Sequence, residues 1–230
     1  MFMRKLSNFA SSGVRQAAQK LLLEFRIQYV HRKACRRSRQ YIGHGPIKLH
    51  LGCGQNIKPG WINVDLWSWK ADLRLDLRER LPFVDSSATI IYAEHLFEHL
   101  EYPSETTHFL KECLRVVVPG GRLSLGVPDA ELPLKSYASD DPWYFEFVRA
   151  RWHPAWCDTR MHNINFHFRQ GTEHKYAYDW ETLEKVLVGA GFVSVCKRSF
   201  ELGLDTDPQS RHIGTLYVDG IKPKTDGSTC

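Results

Sequence analysis

The chain has 230 residues, 43% of them hydrophobic, so it is long enough to bury one core of ordinary domain size. No run approaches the roughly 18 apolar residues that identify a transmembrane helix, and no signal-peptide pattern is present. The six cysteines are scattered, with no C-x-x-C pair. This cysteine usage favours a reduced, intracellular chain, so we expect the protein in the cytoplasm. If the amino-terminal segment binds a membrane, we expect it at the membrane surface.

Positive charge is concentrated at the amino terminus. Residues 1–42 contain ten lysines and arginines against one acid, Glu24, which gives a net charge of +9, whereas the rest of the chain carries −4. We therefore divide the chain into a basic arm, 1–45, and a body, 46–230, separated by the "GHGP" breaker. Because the body has no excess of positive charge, we expect no nucleic-acid partner.

The arm has the pattern of an amphipathic helix, which Gly13 interrupts in its first half. Four large apolar residues follow helical spacing along one side: Leu21, Leu22, Phe25 and Tyr29. An apolar side combined with many bases is typical of a helix that lies on an anionic membrane surface, so we expect peripheral membrane association through residues 1–42. A solvated basic extension, a non-specific nucleic-acid contact and an organelle transit peptide are the alternatives.

From Pro46 onward, strand and helix patterns alternate. Apolar or alternating runs predict seven strands, at 47–51, 61–66, 71–77, 88–93, 122–127, 192–200 and 214–221. Ser104 and Asp179 are the expected caps of two helices, which end at the "PGG" of 119–121 and at Gly191. This alternation predicts an α/β fold with a Rossmann-like, doubly wound, mostly parallel sheet.

Glycines and acidic residues follow several of the predicted strands. Ligands of an open α/β sheet bind outside the carboxyl ends of its strands. The candidates that close a strand, and are therefore expected on one edge of the sheet, are Gly52, Gly54, Asp65, Asp76 and the Glu94–His95 step.

The G-x-G at 52–54 differs from a dinucleotide fingerprint, because Ile57 stands where the third glycine belongs, and no phosphate-loop lysine follows. The site therefore suits a ligand without phosphates that lies against the backbone and carries a ribose, whose hydroxyls Asp65 could bind. Gly54 and Asp65 are only 11 residues apart, so we expect the first crossover helix to be vestigial.

Four segments occur in an informative order: "LHLGCG", "GWINVDL", "LPFVDSSATIIYAEHLFEHL" and "LRVVVPGGRLSLGVPD". They resemble the successive motifs of class I S-adenosylmethionine-dependent methyltransferases, in the methyltransferase-11-like group often found among bacterial surface-polysaccharide genes. "EHKYAYDWETLEKVLVGAGF" is similar to the carboxyl-terminal part of that group, so the resemblance covers roughly residues 47–221. It implies S-adenosyl-L-methionine as cofactor and a seven-stranded sheet whose last strand is antiparallel.

The resemblance also implies roles for individual residues. The stretch Gly52, Cys53 and Gly54 would lie against the methionine part and the ribose of the cofactor, and Asp65 would hold the ribose hydroxyls. Asp76, with the backbone of Leu77, would face the adenine, and Glu94 and His95 would line the reaction side. Many members of the group carry an acid where His50 stands here, near the methionine ammonium, so that contact departs from the pattern.

The stretch "HLFEHL" suggests a catalytic base. His95 directly follows the predicted central strand, where the transferred methyl should point, so we predict it to be the catalytic residue and the site to be free of metal. His95, Glu98 and His99 also match the H-x-x-E-H pattern of inverted zinc peptidases. In those enzymes the pattern needs a long helix, whereas here it follows a predicted strand. Some relatives bind magnesium with a similar pattern, E-x-x-E-H. Here the first position is His95, and a histidine is a poorer magnesium ligand than a carboxylate. Local capping and packing are the remaining interpretation of Glu98 and His99.

Residues 137–178 form an insertion rich in aromatic residues with interleaved histidines. It lies between the predicted fifth strand and the last helix, where this fold normally builds the pocket for the methyl acceptor. Aromatic faces suit a sugar or an apolar lipid-linked group. The alternative for most of these rings is a satellite core under a long loop, and the histidines lack the spacing of a structural zinc site.

The sequence thus predicts a methyltransferase that acts on a hydroxyl of a sugar or a related small or lipid-linked acceptor, in surface-glycan metabolism. The acceptor class rests on the family association alone. A non-catalytic binding subunit with the same fold, and an RNA or protein methyltransferase, are the two alternatives.

Overall fold

A computed structural model of the protein describes residues 11–43, 45–206 and 208–224. The basic residues Arg4 and Lys5 of the predicted arm, and Cys230, lie outside the described residues. Within these ranges, no helix combines the length and the apolar character that crossing a bilayer requires.

A six-stranded sheet forms the centre of the fold. Its strands are β1 (Ile47–Leu51), β2 (Ile62–Val64), β3 (Ala88–Glu94), β4 (Val117–Pro128), β5 (Val193–Arg198) and β6 (Thr215–Ile221). They lie in the order β2-β1-β3-β4-β6-β5. The first four strands pair in parallel, and β6 runs antiparallel to both β4 and β5. The predicted doubly wound, mostly parallel sheet with an antiparallel last strand is therefore confirmed.

The register determines which residues meet at the edge of the sheet that carries the candidate site. Leu51 of β1 pairs with Val64 of β2 and with Ala93 of β3, so the parallel strands end side by side. Because β6 is antiparallel, its first residue, Thr215, pairs with the last residue of β4, Pro128. The carboxyl ends of β1 to β4 and the amino end of β6 consequently share one edge.

The predicted count of seven strands is wrong by one. Residues 71–77 form no strand, and only an isolated parallel bridge joins Val64 to Leu73. The reason is local: the backbone N–H of Asn63 donates to the Asp72 side chain at 2.8 Å, so a carboxylate replaces the strand carbonyl that would continue the ladder. The crossover between β1 and β2 has no helix at all, only turns, in line with the short spacing.

The described residues form six α-helices. They are α1 (Ser12–Arg37), α2 (Ser104–Val116), α3 (Glu131–Ala138), α4 (Trp143–Arg149), α5 (Arg160–Arg169) and α6 (Trp180–Ala190). The predicted cap of α6 is confirmed, because the Asp179 side chain accepts from the Thr182 N–H, and Gly191 ends the helix with φ +104°. Two other boundaries were wrong: Ser104 begins α2 without capping it, and α2 ends at Val116, since β4 runs through the "PGG".

Within the described residues, most of the arm forms the helix α1, which packs on the body. Gly13 lies in the first turn of α1, at the edge of the described residues, so the predicted interruption there stays a prediction. Ile27 and Ala34 are buried against the body, and Glu24 forms an ion pair with Arg78 at 2.9 Å. The four predicted apolar residues, Leu21, Leu22, Phe25 and Tyr29, lie on the opposite side, each at least half exposed.

The aromatic-rich insertion begins in the last turn of α3 and folds into α4 and α5. Four of its residues form a separate buried cluster: Tyr144, Phe145, Val148 and Ile164. Part of the insertion is thus a satellite core, while other rings and histidines of it turn toward the edge of the sheet, as described next.

Candidate active site

Gly52 makes the sharp turn that ends β1. Its N–H and that of Cys53 both donate to the Val64 carbonyl, at 2.8 and 3.1 Å, which ties the turn to β2. Gly52 has φ +71°, and a Cβ there would lie 2.9 Å from the Cβ of Leu96, so a side chain has neither the conformation nor the space. Gly54 has φ +51° with no atom within 4 Å of its would-be Cβ. The backbone of Gly54 is therefore open to a ligand.

Asp65 holds this turn from the end of β2. Its Oδ2 accepts from the Gly54 N–H at 3.0 Å, and its Oδ1 accepts from the N–H groups of Trp67 and Ser68 at 2.8 and 2.6 Å. Three of the roughly four lone-pair positions of a carboxylate are thus occupied by backbone donors, and one remains for a ligand hydroxyl. Gly54 and Asp65 together fit the ribose end of an adenosyl group.

Two buried groups next to the glycines are uncharged. Burial raises the pKa of the Cys53 thiol to about 12, with Asp65 adding to the effect, so this thiol is not a nucleophile. Burial lowers the pKa of His50 to about 4, helped by nearby Lys58. His50 is therefore neutral near pH 7 and forms a hydrogen bond with Asn63 at 3.3 Å. It cannot supply the negative charge that an acid at this position would give to a methionine ammonium.

Glu94, at the end of β3, accepts three hydrogen bonds from the protein. Its Oε1 accepts from the Tyr217 hydroxyl at 2.9 Å, and its Oε2 accepts from the N–H of Thr206 at 3.1 Å and from the hydroxyl of the same residue. Lys58 closes over this region: its Nζ donates to the Leu204 carbonyl and lies 4.8 Å from the ring centre of Tyr92. As in Asp65, about one lone-pair position, on Oε1, is left for a ligand.

Asp76 lies against the arm. Its carboxylate contacts the Arg78 guanidinium, with Nη2 at 2.8 Å, and Arg78 also contacts Glu24 of α1. The backbone N–H of Asp76 donates to His31 of α1 at 3.1 Å. The side chain of Leu77 is in the main core. The assignment of Asp76 and Leu77 to an adenine stays a prediction.

His95 follows β3 with φ +51° and lines a cavity of about 310 Å³. Its Nε2 lies 3.0 Å from the Thr215 hydroxyl, and its Nδ1 lies 3.4 Å from Oε1 of the buried Glu98. The remaining walls of the cavity come from the end of β4, the insertion and the segment before β6: Pro128, Trp152, His153, Phe166, His167, Gln170, His174, Arg211 and Gly214. The cavity therefore presents imidazoles and one guanidinium between aromatic faces.

The structure brings Gly52, Cys53, Gly54 and Asp65 together, and the pairing of β1 with β3 sets Glu94 and His95 beside them. Sequence reasoning missed the residues that reach this edge from far along the chain. His174, Arg211 and Thr215 had no local motif to mark them. For Glu98, the only signal was H-x-x-E-H, which did not indicate that both carboxylate oxygens are buried with no hydrogen bond of good geometry from the described residues.

Comparison with known proteins gives one family match. Residues 68–125 match the family model described as a methyltransferase domain. No curated protein matches the chain in sequence.

Several solved methyltransferase structures are similar to the chain. One from Archaeoglobus fulgidus, described as SAM-dependent, has 16% identity and a TM-score of 0.49, with 88% of this chain and 99% of that chain covered. Phosphoethanolamine N-methyltransferase 2 of Haemonchus contortus has 11% identity and a TM-score of 0.46, covering 78% and 49%. The CurJ carbon methyltransferase has 14% identity and a TM-score of 0.45, also covering 78% and 49%. The chain thus spans about half the length of the last two.

The segment that matches the family model runs from the loop after β2 into β4, and so includes β3, Glu94 and His95. It lies in a mostly parallel sheet whose last strand is antiparallel, as the motifs predicted, and the glycine turn and Asp65 fit an adenosyl ribose. When bound, S-adenosyl-L-methionine supplies an activated sulfonium methyl group. Residues 68–125 are thus similar to a methyltransferase domain, for which S-adenosyl-L-methionine is the cofactor.

Proposed function

We propose that the protein transfers the methyl group to a hydroxyl of a small acceptor, of the size of one sugar ring, that binds in the cavity beside His95. The observation that carries this proposal is the cavity itself. His95, directly after β3, lines it, and its volume of about 310 Å³ is at the small end of the range for ligand pockets. A macromolecular acceptor would have to present a single small group there.

The lining of the cavity supports a polar, hydroxylated acceptor. Trp152 and Phe166 offer aromatic faces to C–H groups, while Gln170 and the histidines offer hydrogen bonds. Arg211 adds a cation that suits a carboxylate or phosphate on the same molecule. A sugar or a related ring, free or attached to a lipid carrier, combines these features, and we assign the enzyme to surface-glycan metabolism on that basis and on the motif resemblance.

We assign the proton-accepting role to His95. Glu98 is buried and faces Nδ1, and a carboxylate there favours the proton on Nδ1, which leaves Nε2 as the basic atom. Nε2 lies next to the Thr215 hydroxyl. This hydroxyl can turn its hydrogen away from Nε2 and donate it to the Arg211 carbonyl, 2.9 Å away. An acceptor hydroxyl would take the place of Thr215 at Nε2 and pass its proton there as the O–CH₃ bond forms and the C–S bond breaks.

Mass spectrometry of cell extracts incubated with the enzyme and methyl-labelled cofactor tests this proposal. We expect a labelled product of low molecular mass whose methyl group is on oxygen. Label in RNA or in protein would instead support the second class of acceptor. Cofactor binding without any labelled product would support a non-catalytic binding subunit.

We propose further that α1 attaches the enzyme peripherally to an anionic membrane surface, near a lipid-linked acceptor. The exposed apolar side of α1 supports this, because Leu21, Phe25 and Tyr29 are 58, 62 and 69% exposed while the opposite side packs on the body. Bases next to an anionic surface each contribute about 1 kcal/mol at most. In this arrangement Ile27 and Ala34 remain buried, so binding needs no unfolding of the helix.

Sedimentation with vesicles tests the attachment. The intact chain should pellet with anionic vesicles at low salt, be released at high salt and ignore neutral vesicles. A variant with Leu21, Phe25 and Tyr29 changed to Ser keeps the packed side and should stay in solution. If this variant pellets as the intact chain does, or if neither pellets, α1 is not a membrane anchor.

A further inference from the structure

We propose that Glu98, His99 and His174 form a binding site for a divalent transition-metal ion such as Zn²⁺, beside the cavity. Three possible ligand atoms, one from each residue, all lie within 4.8 Å of one another. This proposal departs from the metal-free site that the sequence predicted. It deepens the proposed function, because His174 also lines the acceptor cavity, but it does not depend on methyl transfer.

The first observation is the state of Glu98. Its side chain is 2% exposed, and neither carboxylate oxygen accepts a hydrogen bond of good geometry from the described residues. Three imidazole nitrogens surround Oε1 instead, those of His95 at 3.4 Å, His99 at 3.9 Å and His174 at 4.0 Å. The last two distances are too long for hydrogen bonds. A buried carboxylate that has only the long contact with His95 is costly, and a cation between these groups would satisfy it.

The second observation is the direction of the imidazole lone pairs. Nδ1 of His99 lies 3.2 Å from the Glu173 carbonyl, and Nδ1 of His174 lies 3.0 Å from the His167 carbonyl. A carbonyl oxygen only accepts, so in both rings Nδ1 carries the hydrogen and donates it. In the neutral rings the lone pair is then on Nε2, and in both it is Nε2 that faces Glu98. Metal-binding histidines are typically fixed in this way, by a second hydrogen bond from the other ring nitrogen.

The third observation is how the backbone holds the two halves of the site together. Glu98 and His99 belong to a short 3-10 helix, Phe97–His99, after β3. His174 comes from the end of the insertion, where the N–H groups of Lys175 and Tyr176 both donate to the Glu98 carbonyl, at 2.7 and 3.3 Å. The imidazoles of His99 and His174 then lie with ring centres 5.0 Å apart. The site is thus fixed by main-chain contacts on both sides.

The donor set indicates the kind of ion. Two imidazoles and one carboxylate are a common set for catalytic zinc, in which a water or substrate completes the coordination. Magnesium and calcium prefer oxygen ligands and would gain little from two histidines. Because His174 also lines the cavity, the open coordination position of such an ion could be reached by a bound acceptor. His95 remains outside the ligand set, as the base on the other side of Glu98.

Cobalt titration of the full-length, untagged protein tests the site without cofactor or acceptor, so its outcome is separate from that of the activity test. After treatment with chelator, the protein should bind one Co²⁺ per chain with visible ligand-field bands, and Zn²⁺ should displace it. His99→Ala and His174→Ala should each weaken binding by about tenfold or more. Glu98→Gln, which keeps the shape of the side chain, should do the same.

His162→Ala is the matched control. His162 lies in the insertion too, but it is exposed and pairs with Asp158, so its loss should leave cobalt binding unchanged. His99 is about one-third exposed, so its variant should fold even if the His174 variant does not. The proposal is overturned if the intact chain shows no ligand-field bands, or if the three site variants bind cobalt as the His162 variant does.

Discussion

Substitution of Asp65 by alanine is the most informative single change to the cofactor site. The carboxylate accepts three backbone hydrogen bonds, from Gly54, Trp67 and Ser68, at distances between 2.6 and 3.0 Å. These bonds join the glycine turn after β1 to the loop after β2. Asp65→Ala therefore removes both the proposed ribose ligand and the support that positions the Gly54 backbone.

The size of the effect follows from these contacts. A hydrogen bond to a charged group contributes about 1.5–3 kcal/mol, and leaving three donors unpaired would cost several times that in a dry interior. Asp65 is only partly buried, so water replaces much of the loss. We expect Asp65→Ala to lower the free energy of unfolding by about 2–4 kcal/mol and cofactor affinity by about 30-fold, which corresponds to about 2 kcal/mol.

Denaturant unfolding and calorimetric titration with S-adenosylmethionine measure the two effects separately. Asp179→Ala is the matched control, because it also removes a carboxylate that accepts a backbone N–H, from Thr182 at 2.9 Å, but at the start of α6. It should cost about 1 kcal/mol of stability and leave cofactor affinity unchanged. Undiminished cofactor binding by Asp65→Ala, or equal weakening by Asp179→Ala, would refute the assignment of Asp65 to the cofactor site.

Three further predictions concern the edge of the sheet. His95→Ala should lower turnover by about a hundredfold while cofactor affinity stays within a few fold; an unchanged rate would remove His95 from the reaction. Burial lowers the pKa of His50 from 6.5 to about 4, so between these values the unfolded chain binds a proton that the folded chain does not. His50 should therefore contribute up to about 3 kcal/mol to the loss of stability as the pH drops through this range. Other buried histidines, such as His167, contribute in the same direction, so His50→Gln should reduce the slope in urea titrations at several pH values by the share of one group; an unaltered slope contradicts the reasoning. Gly52→Ala should lose about 1–3 kcal/mol by the same measurement, because alanine there would be strained and would press on Leu96; unchanged stability would contradict this.

Several features of the fold followed from local sequence alone. The apolar run 47–51 and Gly52 predicted a strand and its end, which β1 confirms. The Asp179 cap and the Gly191 stop are also as predicted, because caps depend on side chains within a few residues. The run at 71–77 misled because alternation reports burial, and Leu73 and Leu75 are indeed buried, whereas a strand also needs ladder hydrogen bonds, which Asp72 takes up here.

The candidate site was only partly visible in the sequence. Gly54 and Asp65 could be predicted because the ends of adjacent parallel strands must meet at one edge. Which partners each acid would meet there could not be predicted, since the tertiary structure brings Tyr217 to Glu94 and α1 to Asp76 from distant parts of the chain.

His174 shows the same limit most clearly. It is 76 residues beyond Glu98 in sequence, and nothing in its neighbourhood marks it as a ligand. The sequence by itself determined the α/β fold, the turn at Gly52 and the place of Asp65 at the end of β2, because each follows from periodicity or from contacts between sequential strands. Only the tertiary structure decided the imidazole cluster around Glu98 and the cavity beside it, because those depend on the path of the insertion and on the antiparallel pairing of β6 with β4.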